Sequence, residues 1–329
     1  MTSYNTPNFF PIEFDLEKRV VTIAELDEAD YEKSIFILAK GDGRGFLHYK
    51  NIFDLTLDEF LEANKYENKD PYFIFHHGFC CSTLLSRMIE ARFKTISLRE
   101  PPGINVATNM THNVNQLTPE NDLFFRRLVY IHGRTFQSHQ RAIVKCSDYA
   151  TRSFTNFISP NTKALFLYSD LVEFIASCSK EKRDFWIANR VNYQEVKDQL
   201  GYKSYLDLNN TQIQATLYWC SQISEILACP NLDNVRSLNM SRIFSEKNLL
   251  KNLGRFFNLK EKYFIFKDRN QNNIRGHYSK TGSYEFSYDH RMKIIQTVLK
   301  KENINCNYFN NLAIDILGDK FAALEKLKL

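Results

Sequence analysis

A chain of 329 residues with 43% apolar and 25% charged side chains can build one large α/β domain or two smaller ones, and this composition excludes wholesale disorder. The net charge of +5 is mild and no Lys/Arg run forms a polybasic tail, so a small polyanion is the expected partner and nucleic acid is not. Residues 1–19 lack a basic stretch followed by an apolar one, and no apolar run is long enough to span a bilayer; the reading is a cytoplasmic protein with no membrane span. The seven cysteines (Cys80, Cys81, Cys146, Cys178, Cys220, Cys229 and Cys306) are scattered, without a C-x-x-C pair or a histidine set that would complete a zinc site. They read as free thiols, and no metal is expected.

In chain order, residues 34–39 form a short apolar strand, Gly41-Asp42-Gly43-Arg44-Gly45 a turn, and residues 56–65 a helix. The polar cluster at 66–70 then closes this first segment. Residues 1–68 are expected to be an N-terminal extension or an extra layer packed on the core, and residues 69–329 the main domain. From Pro71 onward strand and helix alternate. Residues 72–77 are an apolar run ending in two histidines, as in a strand buried on both faces. A helix at 82–90 follows, with Leu84, Leu85, Met88 and Ile89 on a stripe. Strands are expected at 95–98, 141–145, 163–168 and 234–240, and helices at 149–158, 171–178, 210–228 and 246–257, with a polar, helical stretch after Pro101-Pro102. This alternation predicts a three-layer α/β/α fold around a parallel sheet, with ligands bound beyond the carboxyl ends of the strands.

The loop His77-Gly78-Phe79-Cys80-Cys81-Ser82-Thr83 joins the first core strand to its helix. The start of a helix presents unpaired N–H groups and the positive end of its dipole, which suits an anion, and the Ser82 and Thr83 hydroxyls can add bonds to phosphate oxygens. The plainer alternative is that Ser82 only caps the helix. A Walker A loop is excluded because the closing Gly-Lys is missing, which weakens a kinase-like phosphotransferase. Cys81 and Arg87 satisfy the C-x5-R spacing of thiol phosphatases, although Leu84 and Leu85 between them read as core-facing helix positions.

Together these pieces resemble the P-loop sulfotransferase superfamily, specifically bacterial sulfotransferase-like proteins with a His-x-x-Phe-Cys-Cys-Ser-Thr-Leu-Leu-x-Arg loop. The resemblance runs over residues 72–291, about two thirds of the chain. It implies a P-loop nucleoside triphosphate hydrolase-like fold of the sulfotransferase type. It also implies sulfuryl transfer from 3′-phosphoadenylyl sulfate to a hydroxyl or amine of a small-molecule or glycan acceptor. In that reading Gly78, Phe79, Cys80, Cys81, Ser82, Thr83 and Arg87 hold the 5′-phosphosulfate. Ser169 and Ser177 fall at the 3′-phosphate site, Lys280 on a late basic loop over it, and Glu100 where tyrosylprotein-type members place a base. Two departures stand out: Phe79 occupies a position normally Lys or Arg, and Ser169 that of the 3′-phosphate arginine. A catalytically impaired nucleotide-binding regulatory protein of the same fold is therefore the alternative. His76, His77, Arg87, Arg99, Lys145, Arg152 and Lys280 are the cations that could compensate.

Each catalytic candidate has a structural counterpart. Glu100 is either a general base or a carboxylate paired with a nearby arginine. His77 supplies the charge missing at Phe79, acts as acid or base, or is hydrogen-bonded structure. Lys145 interrupts an apolar strand at its carboxyl end, where a charge must be paired or ligand-bound. Trp186 and Trp219 read as core or rim packing, and Arg183 and Arg190 as solvated.

Overall fold

The computed structural model describes residues 4–34, 49, 51–65, 70–112, 118–180, 183–262 and 287–329. The N-terminal part contains β1 (Phe9–Asp15), β2 (Val20–Glu25), α1 (Glu28–Lys33), β3 (Ile52–Thr56) and α2 (Leu57–Ala63). The three strands form an antiparallel sheet in the order β1-β2-β3. The first two strands and α1 lie where the sequence had suggested no element. The expected helix at 56–65 is α2, with Thr56 as its N-cap and Glu59 completing a capping box. The expected strand at 34–39, apart from Ser34, and the turn at 41–45 lie outside the described residues.

The central sheet is built from β4 (Tyr72–His76), β5 (Thr95–Arg99), β6 (Arg141–Lys145), β7 (Ala164–Tyr168) and β8 (Val235–Asn239). Their order is β5-β6-β4-β7-β8, and every neighbouring pair is parallel. The connections carry α3 (Ser82–Arg92), α4 (Pro102–His112), α5 (Pro119–Ile131), a 3-10 turn at Asp148–Ser153 and α6 (Phe154–Phe157). After β7 come α7 (Leu171–Cys178), α8 (Asp184–Ala188), α9 (Tyr193–Gln199) and α10 (Thr211–Leu227). After β8 follow α11 (Arg242–Ser245) and α12 (Leu249–Phe256), and later α13 (Tyr288–Lys301), α14 (Cys306–Leu317) and α15 (Lys320–Lys326).

Alternation along the buried strands divides the core into two layers. Tyr72 and Ile74 of β4, with Leu165 and Leu167 of β7, pack against α3 and α12 on one face. Phe73 and Phe75, with Phe166 and Tyr168, meet α6, α7 and α10 on the other. Each such side chain contributes about 1.5–3 kcal/mol on full burial. That double burial is why these strands read as unbroken apolar runs. The fold is thus the expected α/β architecture: a five-stranded parallel sheet flanked by helices.

The N-terminal sheet is fastened to this core by two buried arginines. Arg134 donates to the carbonyls of Tyr4 (2.9 Å) and Phe9 (2.8 Å) and to the Asn64 side chain (3.1 Å). Arg99 donates to the Ser34 carbonyl and pairs with Glu90 of α3. Burial raises the pKa of Glu90 while Arg99 opposes the shift. No described helix is long and apolar enough to cross a membrane.

Candidate functional site

The carboxyl end of β4 leads into a loop with unusual backbone geometry. Gly78 (φ 90°), Phe79 (φ 50°) and Cys81 (φ 61°) all adopt left-handed conformations. At a non-glycine residue such a conformation costs about 1 kcal/mol or more, so Phe79 and Cys81 mark a loop held in shape by its surroundings. Left-handed residues interleaved in a turn direct successive N–H groups into a concavity that suits an anion. Cys81, not Ser82, is the N-cap of α3, and its side chain makes no capping bond. Ser82 is the first helical residue, so capping does not account for it.

Two histidines fix this loop. Gly78 N–H donates to His76 Nδ1 (3.0 Å), so His76 carries its proton on Nε2 and donates to the Cys146 carbonyl (2.9 Å). Ser169 N–H donates to His77 Nε2 (2.7 Å), and His77 Nδ1–H donates to the Gly78 carbonyl (2.8 Å). Both rings are buried and use both nitrogens within the protein. Burial pushes the His77 pKa down to about 4. His77 is therefore a neutral bracket between the loop and the end of β7, and it brings no positive charge to the loop.

Three cations outside the loop lie beside it, and sequence reasoning gave none of them a part in it. Arg291 of α13 donates to the Phe79 carbonyl (3.0 Å) and lies 3.8 Å from Glu173 of α7. The Arg183 guanidinium lies over the Phe79 ring, 4.4 Å from its centroid, and donates to the Ser177 carbonyl (3.3 Å). Lys180 sits beside both; burial and the charges of Arg183 and Arg291 depress its pKa to about 8. Arg183 is thus not the solvated residue expected. Neither is Arg190, which pairs with Asp148 (2.6 Å) and covers the Trp186 ring. The only sequence signal was Arg183, Trp186 and Arg190 at helical spacing, a stripe that an exposed helix also shows.

Several buried polar atoms here have no hydrogen-bond partner among the described residues: Ser169 Oγ, Ser177 Oγ, Glu173 Oε2 and Arg291 Nε. Buried polar groups are almost always satisfied, by protein, water or ligand, so these atoms are open to a bound polar group. Ser177 and Glu173 are one helical turn apart on α7, on the side that meets α13.

At the carboxyl ends of the neighbouring strands, Lys145 of β6 is buried and ion-paired with the half-buried Glu100 just beyond β5. Glu100 has φ 55°, and its N–H donates to the Lys145 carbonyl (2.7 Å). This left-handed turn aims the carboxylate back along the sheet end. Next to them the Ser147 hydroxyl donates to Asn105 (2.6 Å).

The remaining sequence candidates divide as follows. Cys80 is buried, with its thiol on the Leu167 carbonyl and its pKa pushed up to about 12 by burial. It acts as a small residue, not a thiolate. Arg87 lies within α3, about 9 Å along the helix axis from Cys81 at 1.5 Å per residue. A helix in that place cannot wrap a phosphate between Cys81 and Arg87, which removes the phosphatase geometry. Arg99 is committed to Glu90, and Arg152 lies over the Tyr149 ring. Lys280 lies outside the described residues. Among those residues no cluster of His, Cys, Asp and Glu is arranged to hold a metal ion.

No family model matches this chain, and no curated protein matches it. Solved structures do. A sulfotransferase domain from the curacin biosynthetic pathway is 12% identical, with a TM-score of 0.40 over 73% of this chain and 99% of that one. A sulfotransferase domain from the Synechococcus PCC 7002 olefin synthase is 14% identical, with a TM-score of 0.41 over 77% and 97%. The sulfotransferase STF9 from Mycobacterium avium is 9% identical, with a TM-score of 0.39 over 75% and 80%. The chain is similar to these proteins in architecture, and no residue role is carried over from them.

Proposed function

We propose that the chain is a sulfotransferase using 3′-phosphoadenylyl sulfate, with a hydroxyl or amine of a small-molecule or glycan acceptor receiving the sulfuryl group. The observation that carries this reading is the convergence of Arg291, Arg183 and Lys180 on the loop whose own side chains bring no cation. When bound, the donor supplies an activated sulfuryl group on its 5′ side and a second phosphate on its 3′ side. The residues present fit such a doubly anionic molecule. The N–H groups of 79–83 would hold the 5′ end, while Ser177 Oγ and Arg291 Nε, both buried without a hydrogen-bond partner among the described residues, would take further anionic oxygens.

Glu100 is the proposed base. It would accept the acceptor's proton while its ion pair with Lys145 fixes the carboxylate in direction. Arg291 and Arg183 would balance the charge that develops on the departing phosphate, the duty that Phe79 cannot perform. The rate enhancement would then rest on positioning and preorganised charge, without a covalent intermediate on Cys80 or Cys81.

Adenosine 3′,5′-bisphosphate should raise the melting temperature more than ATP or GTP at equal concentration. Equal shifts would reject the donor assignment. Preferential binding without transfer to a broad panel of hydroxyl and amine acceptors would instead support a regulatory protein that binds the nucleotide but lacks turnover, the reading favoured by Phe79 and Ser169.

A further inference from the structure

Beyond the ends of β7 and β8, on the α10 side of the sheet, lies a cavity of about 980 Å³ that the sulfuryl-transfer reading does not use. Its apolar floor and walls include Trp219 of α10, Leu171 of α7, Ile314 of α14 and Phe321 of α15. Trp219 and Phe321 lie with ring centroids 6.0 Å apart. Ile314 is 56% exposed and Phe321 39%, so two of the large apolar side chains left open to solvent face one concave space. A volume of this size holds a drug-sized molecule, and an apolar lining with a few polar groups is the usual make-up of such sites.

The polar groups at its rim determine which head group is welcome. Both rim cations are already neutralised: Arg242 pairs with Glu246 (2.6 Å), and Lys328 pairs with Glu325. Asp170 is different. It is exposed, its Oδ1 accepts from the Asn239 side chain (2.7 Å), and no cation pairs with it among the described residues. It also sits at the N-cap of α7, where a carboxylate already answers the helix dipole. An anionic head would meet like charge there, whereas a protonated amine would find a carboxylate beside an apolar chamber.

We propose that this cavity binds a primary amine with an apolar body, its ammonium on Asp170 and its body over Trp219, Ile314 and Phe321. The proposal stands independently of the sulfuryl-transfer reading. Titration calorimetry of the full chain with decylamine, decanol and decanoate, each below its aggregation concentration, tests it. Decylamine should bind at one site, at least tenfold more tightly than decanoate. Asp170→Asn should bring decylamine to the affinity of decanol. Ala313→Trp, which fills the chamber, should weaken decylamine at least tenfold; Ile314→Lys, at an exposed position that tolerates change, should do the same if the first variant misfolds. Both should leave adenosine 3′,5′-bisphosphate binding as in the parent chain. Absence of decylamine binding, equal affinity for decanoate, or undiminished binding in Ile314→Lys would each overturn the proposal.

Discussion

Replacing Arg291 tests the site most directly. Its side chain is 11% exposed and that of Glu173 10%, and the two lie 3.8 Å apart. At an effective dielectric of about 20 the attraction is about 4 kcal/mol, much of it offset by desolvating both groups. Arg291→Ala therefore has two effects that must be separated. It leaves Glu173 buried without its cation, which costs about 3–5 kcal/mol of stability. It also removes a charge-assisted donor from the proposed anion site, worth about 1.5–3 kcal/mol, or a roughly 10- to 150-fold rise in Kd. Adding Glu173→Gln to Arg291→Ala removes the unpaired carboxylate and should restore most of the lost melting temperature while leaving the binding defect. Thermal unfolding followed by circular dichroism, with calorimetric titration of adenosine 3′,5′-bisphosphate, reads the two effects apart. If the double variant binds the nucleotide as tightly as the parent, Arg291 is not the cation that replaces the one missing at Phe79.

Other expectations concern protons, the base and the packing. Lys180, at about 8 in the folded chain against 10.5 unfolded, makes the folded state bind fewer protons between those values, so its contribution to stability rises with pH across that window. A bound anion reverses the shift; calorimetry in buffers of different ionisation enthalpy should show proton uptake on nucleotide binding near pH 8–9, and Lys180→Met should abolish it. His77, lowered to about 4, contributes stability that is complete above pH 6.5 and lost as pH falls toward 4. Its loss should appear as an acid shoulder in the unfolding midpoint that His77→Gln lacks, while pH–rate profiles show no His77 titration near neutrality. Glu100→Gln should lower kcat about 10²- to 10⁴-fold with nucleotide affinity kept, and an unchanged kcat would exclude it as the base. Gly254→Ala would place a methyl carbon 2.6 Å from the Phe93 ring and should lower stability by about 1–3 kcal/mol, measured by urea unfolding.

β4 and β7 were readable because a strand buried on both faces carries a nearly unbroken apolar run, and β6 and α7 emerged with the bounds expected. β1 and β2 were not, because neither Phe9–Asp15 nor Val20–Glu25 keeps the alternation expected of a half-buried strand, and Phe9–Asp15 also contains a proline and a register shift. The loop at 77–83 was visible as a candidate for a local reason: a strand, small residues and a helix start adjoin in sequence. Its cations were not. Arg291 reaches Phe79 only because α13 packs on α7, and nothing in either segment's own pattern announces that partnership. His77 misled in the opposite direction, since a ring beside an anion loop looks functional until both nitrogens are seen to be occupied by main chain.

The hydrogen bond from Arg291 to Phe79 spans 212 residues of chain. Closing so large a loop carries an entropic cost that grows only slowly with length, so one well-placed contact can tip the balance. An anion seated between the loop and α13 would act as a clasp, holding a late helix onto a strand end formed early in the sequence. By mass action the same molecule would also tighten the seam it bridges. Attachment of α13 should therefore follow donor concentration, with amide exchange along the helix slowing as the site fills.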